Sequence, residues 1–280
     1  MLLVTEKTAD NSKLFDANRA IGSVAFETRL SAGKSRRGKV HEAGSLRVRF
    51  PSPETDALSA VLVNTAGGVA GGDRFSVAID AGAGSACTLT TAAAEKIYRT
   101  HGPAAEIDVS LQVAAGAHLA WLPQETILFD RAKLARRIDI DLDETASLLL
   151  AEIVVFGRAA MNETMREGAY SDRWRLRRGG RLVFAETLRL DGDIATTLAQ
   201  AAVARGGAAV ATVLIAPAGD DVVERVRVAA ASFAGEVGIS AWNGFAVGRF
   251  CAKDAAALRG DVMKVLAQID AKALPRLWLN

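Results

Sequence analysis

The chain has 280 residues and a mass of 29.4 kDa, which is enough for one large domain or two small ones. Half of the residues are apolar, but 54 are alanine, so larger apolar side chains make up about 31% of the chain. The net charge of +2 gives the whole chain no strong attraction to nucleic acid or to an anionic membrane. The sequence contains no apolar run long enough for a transmembrane helix, and its N-terminus becomes polar too early for a signal peptide, so we expect a cytoplasmic protein.

Alternation of apolar and polar residues predicts strands through the first two-thirds of the chain. In chain order, the alternating segments are residues 24–26, 46–50, 75–79, 107–113 and 138–142. Apolar residues at successive positions, which are typical of strands buried on both faces, occur at residues 60–63, 148–150 and 153–156. Glycine-rich breaks between these segments favour turns.

A basic stretch interrupts this pattern near the N-terminus, where residues 29–49 contain seven Lys and Arg side chains. We interpret the stretch as a solvated, mobile loop rather than a binding patch. Its Gly33-Lys34-Ser35 resembles the end of a nucleotide-binding loop, but Thr28 stands where such a loop requires glycine. The sequence therefore gives no support for a nucleotide hydrolase.

The last third of the chain changes to helical spacing. Asp220 and Asp221 can begin one helix and Asp254 a second, while residues 195–204 are a weaker candidate for a third. We predict a mainly β fold with about two helices in the C-terminal third, organised as one domain over residues 21–280. Residues 1–20 are predicted to be a flexible N-terminus.

The usual reactive and metal-binding groups are scarce. Cys87 and Cys251 fit neither a disulfide framework nor a cysteine-built zinc site. His41, His101 and His118 are scattered, which is more typical of surface or turn residues than of metal ligands. The catalytic motifs HExxH and GxSxG are absent from the sequence.

Several carboxylates occupy positions where a charge is costly without a partner. Asp73 ends the glycine-rich segment 67–73, Glu125 and Asp130 flank an apolar segment, and Glu152 interrupts an apolar strand. The structural alternative is that each carboxylate caps a turn or pairs with a basic side chain, for which the candidates are Arg131, Arg158 and Lys96.

The chain resembles the urease accessory protein family UreD, also called UreH. The resemblance runs from about residue 21 to the end, in the order and approximate spacing of the family's motifs, and is carried by residues 64–74, 90–99, 122–130, 152–160, 242–244 and 274–278. One departure is Asn162, which precedes Glu163 where the family often has glycine.

The resemblance implies a β-helix-like fold of stacked sheets with a pair of helices. It also implies a non-catalytic scaffold that binds apo-urease and the partner UreF, which recruits the GTPase UreG, so that nickel reaches the urease active site. Members of the family are thought to carry nickel along an internal, water-filled passage. No tightly bound cofactor is expected, since nickel is only in transit.

A passage for a dication requires oxygen ligands that hold the metal weakly, and carboxylates meet this need better than thiolate or imidazole clusters. We therefore hypothesise that five carboxylates include groups lining such a passage: Asp73, Glu125, Asp130, Glu152 and Glu163. Two other interpretations remain open. One is a β-helix-type hydrolase that uses paired carboxylates on glycans, and the other is a β-rich interaction protein with no role for a metal.

Overall fold

A computed structural model describes residues 19–52, 56–270 and 274–279. The predicted flexible N-terminus lies outside the described residues, except for residues 19 and 20. Two β-sheets and a layer of helices make up the described fold.

The first sheet, sheet A, contains β1 (Ile21–Ser31), β2 (Lys34–Gly44), β5 (Arg74–Ala81), β8 (Ala105–Val113), β11 (Lys133–Leu142), β14 (Glu167–Arg178) and β15 (Arg181–Asp193). Sheet B contains β3 (Leu46–Arg49), β4 (Leu58–Asn64), β6 (Ala86–Thr91), β7 (Glu95–Ile97), β9 (His118–Trp121), β10 (Thr126–Leu128), β12 (Ser147–Arg158), β13 (Glu163–Thr164), β16 (Ala209–Ala216), β17 (Glu236–Trp242) and β18 (Phe245–Ala252). The helices are α1 (Ile194–Ala199), α2 (Asp220–Val228) and α3 (Ala255–Ile269).

Between β4 and β14 the chain crosses repeatedly from one sheet to the other, with a single strand in sheet A at each turn, so it winds as a β-solenoid. In sheet A, β1, β5, β8, β11 and β14 are successive parallel neighbours. In sheet B, β4, β6, β9 and β12 are also parallel. The predicted β-helix-like fold with about two helices is confirmed, because the described C-terminal part contains α2 and α3 together with one shorter α-helix, α1, of six residues.

Strand β12 explains why the sequence is apolar at successive positions around Glu152. Its even-numbered side chains face sheet A, and its odd-numbered side chains face the helices. Leu150 and Val154 belong to the core between the sheets, whereas Ala151 and Ile153 belong to the core under the helices. Burial on both faces leaves no position along most of this strand where a polar side chain can reach solvent.

Acidic caps help to set where the predicted helices begin. The Asp254 carboxylate accepts a hydrogen bond from the N–H of Ala257 (2.7 Å) at the start of α3. Asp220 and Asp221 lie in the first turn of α2, where their negative charges interact favourably with the positive end of the helix dipole. The weak third helix, α1, ends at Ala199, well short of the predicted residue 204.

The interpretation of the basic stretch as a mobile loop is wrong. Residues 34–44 form β2, which pairs with β1 as an antiparallel hairpin. Most β2 side chains are exposed on both faces, and only Ser35 is buried. The apolar alternation that identifies a half-buried strand is therefore missing, although β2 pairs with β1 along its length except at a bulge between Phe26 and Thr28.

The C-terminal segment is fixed to the middle of the chain through Trp278. The indole Nε1 of Trp278 donates to the carbonyl of Leu122 (2.9 Å), and the ring is buried. Arg259 on α3 stacks on this ring (5.0 Å), donates to the Trp278 carbonyl (3.0 Å) and forms an ion pair with Glu125 (2.6 Å). One guanidinium therefore joins the helix layer, the C-terminal segment and the segment between β9 and β10.

Replacing Arg259 with alanine should lower the free energy of unfolding by about 2 kcal/mol, since Glu125 is largely buried and loses its counter-charge. Urea denaturation measures this change. Arg227→Ala, in the last turn of α2, is the matched control and should change stability by less than about 0.5 kcal/mol. Equal losses in the two variants would contradict this role of Arg259.

Candidate functional site

The two sheets separate beyond β12 and leave a cleft between β14–β15 on one side and β16–β18 on the other. This central cleft has a volume of about 670 Å³. Most of its wall is apolar, with Leu188 and Leu190 from β15 facing Val210 from β16. Charged side chains occur at its floor and at its mouth.

The floor is formed by Arg136, Glu152, Tyr170 and Asp172. Arg136 stands on β11 at an inward position between Leu134 and Ile138, and its register partner on β14 is Asp172. Glu152 comes from the facing sheet. It lies in the gap between the stretch of β12 that pairs with β9 and the stretch that pairs with β10.

Hydrogen bonds satisfy every charged group of this floor. Arg136 donates from Nε and Nη2 to both oxygens of Asp172 (3.0 and 2.6 Å), and from Nη1 to Oε2 of Glu152. Trp121 donates from Nε1 to Oε1 of Glu152 (2.8 Å). The Tyr170 hydroxyl accepts from Arg136 (3.0 Å) and donates to Asp172 (2.9 Å). Arg136 thereby ties the two sheets together through a carboxylate on each.

Burial and charge act in opposite directions on these groups. Burial disfavours the charged form of Arg136, but Asp172 and Glu152 outweigh it and hold the pKa of the guanidinium well above its usual range. Burial raises the pKa of Glu152 despite the neighbouring Arg136. Burial also raises the pKa of Tyr170, which stays a neutral phenol. The floor therefore holds two carboxyl groups and one guanidinium.

A second ion pair crosses the mouth of the central cleft. Arg249 on β18 binds Glu186 on β15 and donates to the hydroxyl of Thr212 (2.6 Å). The pair therefore joins sheet B to sheet A where the cleft opens. Both side chains are partly exposed, so solvent screens this interaction more than the one at the floor.

The five predicted passage carboxylates lie in four separate places, since only Asp130 and Glu163 share a cleft, and of the five only Glu152 is in the central cleft. Asp73 is buried and accepts from the N–H groups of Ala20 (2.8 Å) and Ala70 (2.7 Å). Glu125 is paired with Arg259 as described above. The passage-lining role of these residues stays a prediction.

Asp130 and Glu163 line one cleft at the end of the solenoid. Asp130 binds the guanidinium of Arg166 (2.9 Å) and the N–H groups of Arg166 and Glu167 (2.8 and 3.2 Å). Burial opposes ionisation, but these hydrogen bonds hold the pKa of Asp130 below its usual range. Glu163 receives two hydrogen bonds from Arg158 (2.6 and 3.0 Å). Of the basic partners suggested by sequence, only Arg158 binds one of the five carboxylates.

The glycine-rich loop packs tightly against β7. Gly68 has a φ of 157°, and a Cβ there would lie 2.5 Å from the Tyr98 ring. The Tyr98 hydroxyl donates to the carbonyl of Gly67 (2.8 Å), and Val69 pairs with Ile97. The glycines therefore allow the loop to extend the sheet, and Asp73 closes its end.

Glu95 was not recognised from the sequence. Its carboxylate receives hydrogen bonds from the Asn64 amide at 3.2 Å to each oxygen. Burial raises the pKa of Glu95 to about 7, and the hydrogen bond from Asn64 offsets only part of this increase.

Arg136 and Asp172 were also missed, although a charged residue at an inward position of an alternating strand signals a buried partner. Among the described residues, no three or more His, Cys, Asp or Glu side chains are grouped to hold a metal ion.

Comparison with known proteins identifies the family. The model of the UreD urease accessory protein family matches residues 19–279. The chain belongs to the UreD urease accessory protein family. It is 63% identical over 279 residues to a urease accessory protein UreD of Rhodopseudomonas palustris strain CGA009, with all of both chains covered. It is 66% identical over 269 residues to that of Bradyrhizobium diazoefficiens, with 96% of this chain and 97% of the relative covered.

Family membership confirms the resemblance and gives the chain a role in urease maturation. The matched residues include those of the central cleft, of the cleft at the end of the solenoid and of the C-terminal segment. Within the part of the chain that the structure describes, no helix is long and apolar enough to cross a membrane.

Arg136→Leu should lower the free energy of unfolding by about 3–5 kcal/mol, because it leaves Glu152 and Asp172 buried without a counter-charge. Arg137→Leu is the matched control. Arg137 is the next residue of β11, but it faces solvent and pairs with the exposed Asp108, so its loss should cost about 1 kcal/mol or less. Chemical denaturation of the two variants measures the difference, and similar values would refute the structural role of Arg136.

Glu95 should make stability depend on pH. The pKa of Glu95 is 4.5 in the unfolded chain and about 7 in the folded chain. Between these two pH values the folded chain keeps a proton on Glu95 that the unfolded chain releases, so rising pH lowers the free energy of unfolding. Glu95→Gln should remove roughly 1–2 kcal/mol of the stability change between pH 5 and pH 8. Urea denaturation at both pH values tests this, with the exposed Glu106→Gln as control. An unchanged pH profile in Glu95→Gln would count against the prediction.

Proposed function

We propose that this chain is a non-catalytic scaffold that binds apo-urease together with UreF, and through UreF the GTPase UreG. In this assembly it helps to deliver nickel to the urease active site. Its family membership supports a place in urease maturation, and the named relatives are urease accessory proteins along their full lengths. The scaffold, its partners and the nickel cargo are the proposal.

The nickel part of the proposal rests on one observation. Two carboxylates lie together at the floor of the central cleft. Glu152 and Asp172 are joined by one guanidinium, so the floor has an excess of negative charge inside an apolar wall. A dication entering the cleft is attracted by this excess and meets oxygen ligands. Arg136 competes with the metal for the same oxygens, which keeps metal binding weak and favours release.

The same arrangement argues against hydrolysis by paired carboxylates. A glycoside hydrolase needs one carboxyl group free to donate a proton and the other free to activate water or attack the sugar. Here both carboxylates receive hydrogen bonds from Arg136, and Glu152 also receives one from Trp121. The central cleft is therefore better suited to a passing cation than to a glycan.

The carboxylates at the end of the solenoid are less suited to this role. Asp130 and Glu163 each bind an arginine, and further arginines line the same cleft. A dication would meet net positive charge there. The passage, as we propose it, runs through the cleft that contains Glu152.

Glu152→Gln and Asp172→Asn should reduce nickel-dependent urease activation by on the order of tenfold, since each amide removes a charged oxygen ligand. Coexpression with the urease subunits and UreF, followed by pull-down and an activity assay, measures assembly and activation separately. The variants should still assemble. Asp108→Asn, on the solvent face of sheet A, is the control and should activate urease normally.

Two outcomes would contradict the proposal in different ways. Normal activation by both cleft variants within intact complexes would refute the passage through Glu152. Failure of the unmodified chain to form any complex with urease or UreF would refute the scaffold role itself.

A further inference from the structure

The cleft at the end of the solenoid has a different chemical character from the central cleft. This edge cleft has a volume of about 560 Å³ and lies where the segments following β7 and β10 meet β13. Three guanidinium groups line it, those of Arg99, Arg131 and Arg166, together with the imidazole of His101. It does not share a lining residue with the central cleft.

Arg166 and Arg158 already neutralise the two carboxylates of the edge cleft. Arg166 makes a two-pronged contact with Asp130 (2.9 and 3.2 Å), and Arg158 makes one with Glu163. Arg158 is itself held in place by stacking over the Phe129 ring at 4.0 Å. Because each carboxylate already has an arginine partner, it does not bind the remaining guanidinium groups, and its charge is offset so that it does not strongly repel an anion.

Two guanidinium groups remain available. Within the described residues, the Arg99 guanidinium has no hydrogen bond or ion pair. Arg131 has one ion pair, 3.6 Å from Glu167, and the Glu167 side chain is 65% exposed. Such a solvent-screened contact is weak and is readily exchanged for a better acceptor.

The backbone holds Arg131 in position at the cleft. Arg131 has a φ of 65°, a left-handed conformation that is uncommon for a residue with a side chain. Its N–H donates to the Glu167 carbonyl (2.8 Å), and its own carbonyl accepts from the N–H of Thr100 (3.1 Å). Asn162 also lines the cleft and has a positive φ of 53°. The backbone at this part of the cleft is therefore held in a defined conformation.

We propose that the edge cleft is an oxyanion-binding site in which Arg99 and Arg131 hold a carboxylate or phosphate-class group. Planar guanidinium donors match the paired oxygens of such groups. Four arginines, with Arg158 included, face the carboxylates of Asp130, Glu163 and Glu167 around the cleft, so an anion enters a site of net positive charge. This site is independent of the nickel passage and of its carboxylates.

The test measures sulfate binding to the purified full-length chain by calorimetry at constant ionic strength. Sulfate is chosen because its charge does not change near neutral pH. The Arg99→Gln/Arg131→Gln double variant should bind sulfate about tenfold or more weakly. Arg36→Gln, an exposed arginine on β2 at the opposite edge of sheet A, is the matched control and should bind as the unmodified chain does.

A second arm uses a hexaglutamate peptide as the probe and separates the two sources of the oxyanion. Binding of sulfate that depends on Arg99 and Arg131 supports a free oxyanion as ligand. Binding of the peptide alone, with the same dependence, supports a carboxylate supplied by another protein. Binding of neither probe, or an equal loss in Arg36→Gln, overturns the proposal.

Discussion

The burial of β12 on both faces is the constraint on which the rest of this structure depends. A strand covered by sheet A on one side and by helices on the other can carry a charge only if its partner lies inside the protein. Glu152 meets this condition through Arg136, which reaches across from β11 and also binds Asp172. The ion pair that compensates for the burial of Glu152 therefore also brings Asp172 to the floor of the central cleft, so that one guanidinium binds two carboxylates there.

The two clefts differ in the sign of their excess charge and in how deeply the charged side chains are buried. In the central cleft, carboxylates outnumber the guanidinium that holds them, and the whole group is buried. In the edge cleft, arginines outnumber carboxylates, and several of the side chains are open to solvent. Coulomb energies are larger where water is excluded, so the central cleft has the stronger influence on an ion that enters it. The edge cleft is better suited to contacts that form and break at the surface.

Much of the architecture follows from the pattern of the sequence. Period-two alternation identified β1, β5, β8 and β11 of sheet A but not its two longest strands, β14 and β15. The apolar run around Glu152 identified the strand buried on both faces. The strand β2 was missed because an exposed hairpin strand needs no apolar face, and its charges are typical of a loop. Of the site, Glu152 was predicted, since its charge interrupts an apolar run. Arg136 and Asp172 come from strands that are distant in sequence, and only the register between β11 and β14, together with the stacking of the two sheets, brings them together. Glu95 was missed because its altered proton affinity arises from burial, which local sequence does not reveal.

The hairpins at the two edges of sheet A have a consequence for assembly. A coil of parallel strands has open rungs at both ends, and another copy could in principle continue the ladder. Here β2 and β15 fold back antiparallel on the terminal rungs, and their outermost positions are rich in charged side chains. Growth into a filament along this sheet is thereby opposed. Contacts between this protein and other molecules are therefore favoured at its faces and clefts over these two strand edges.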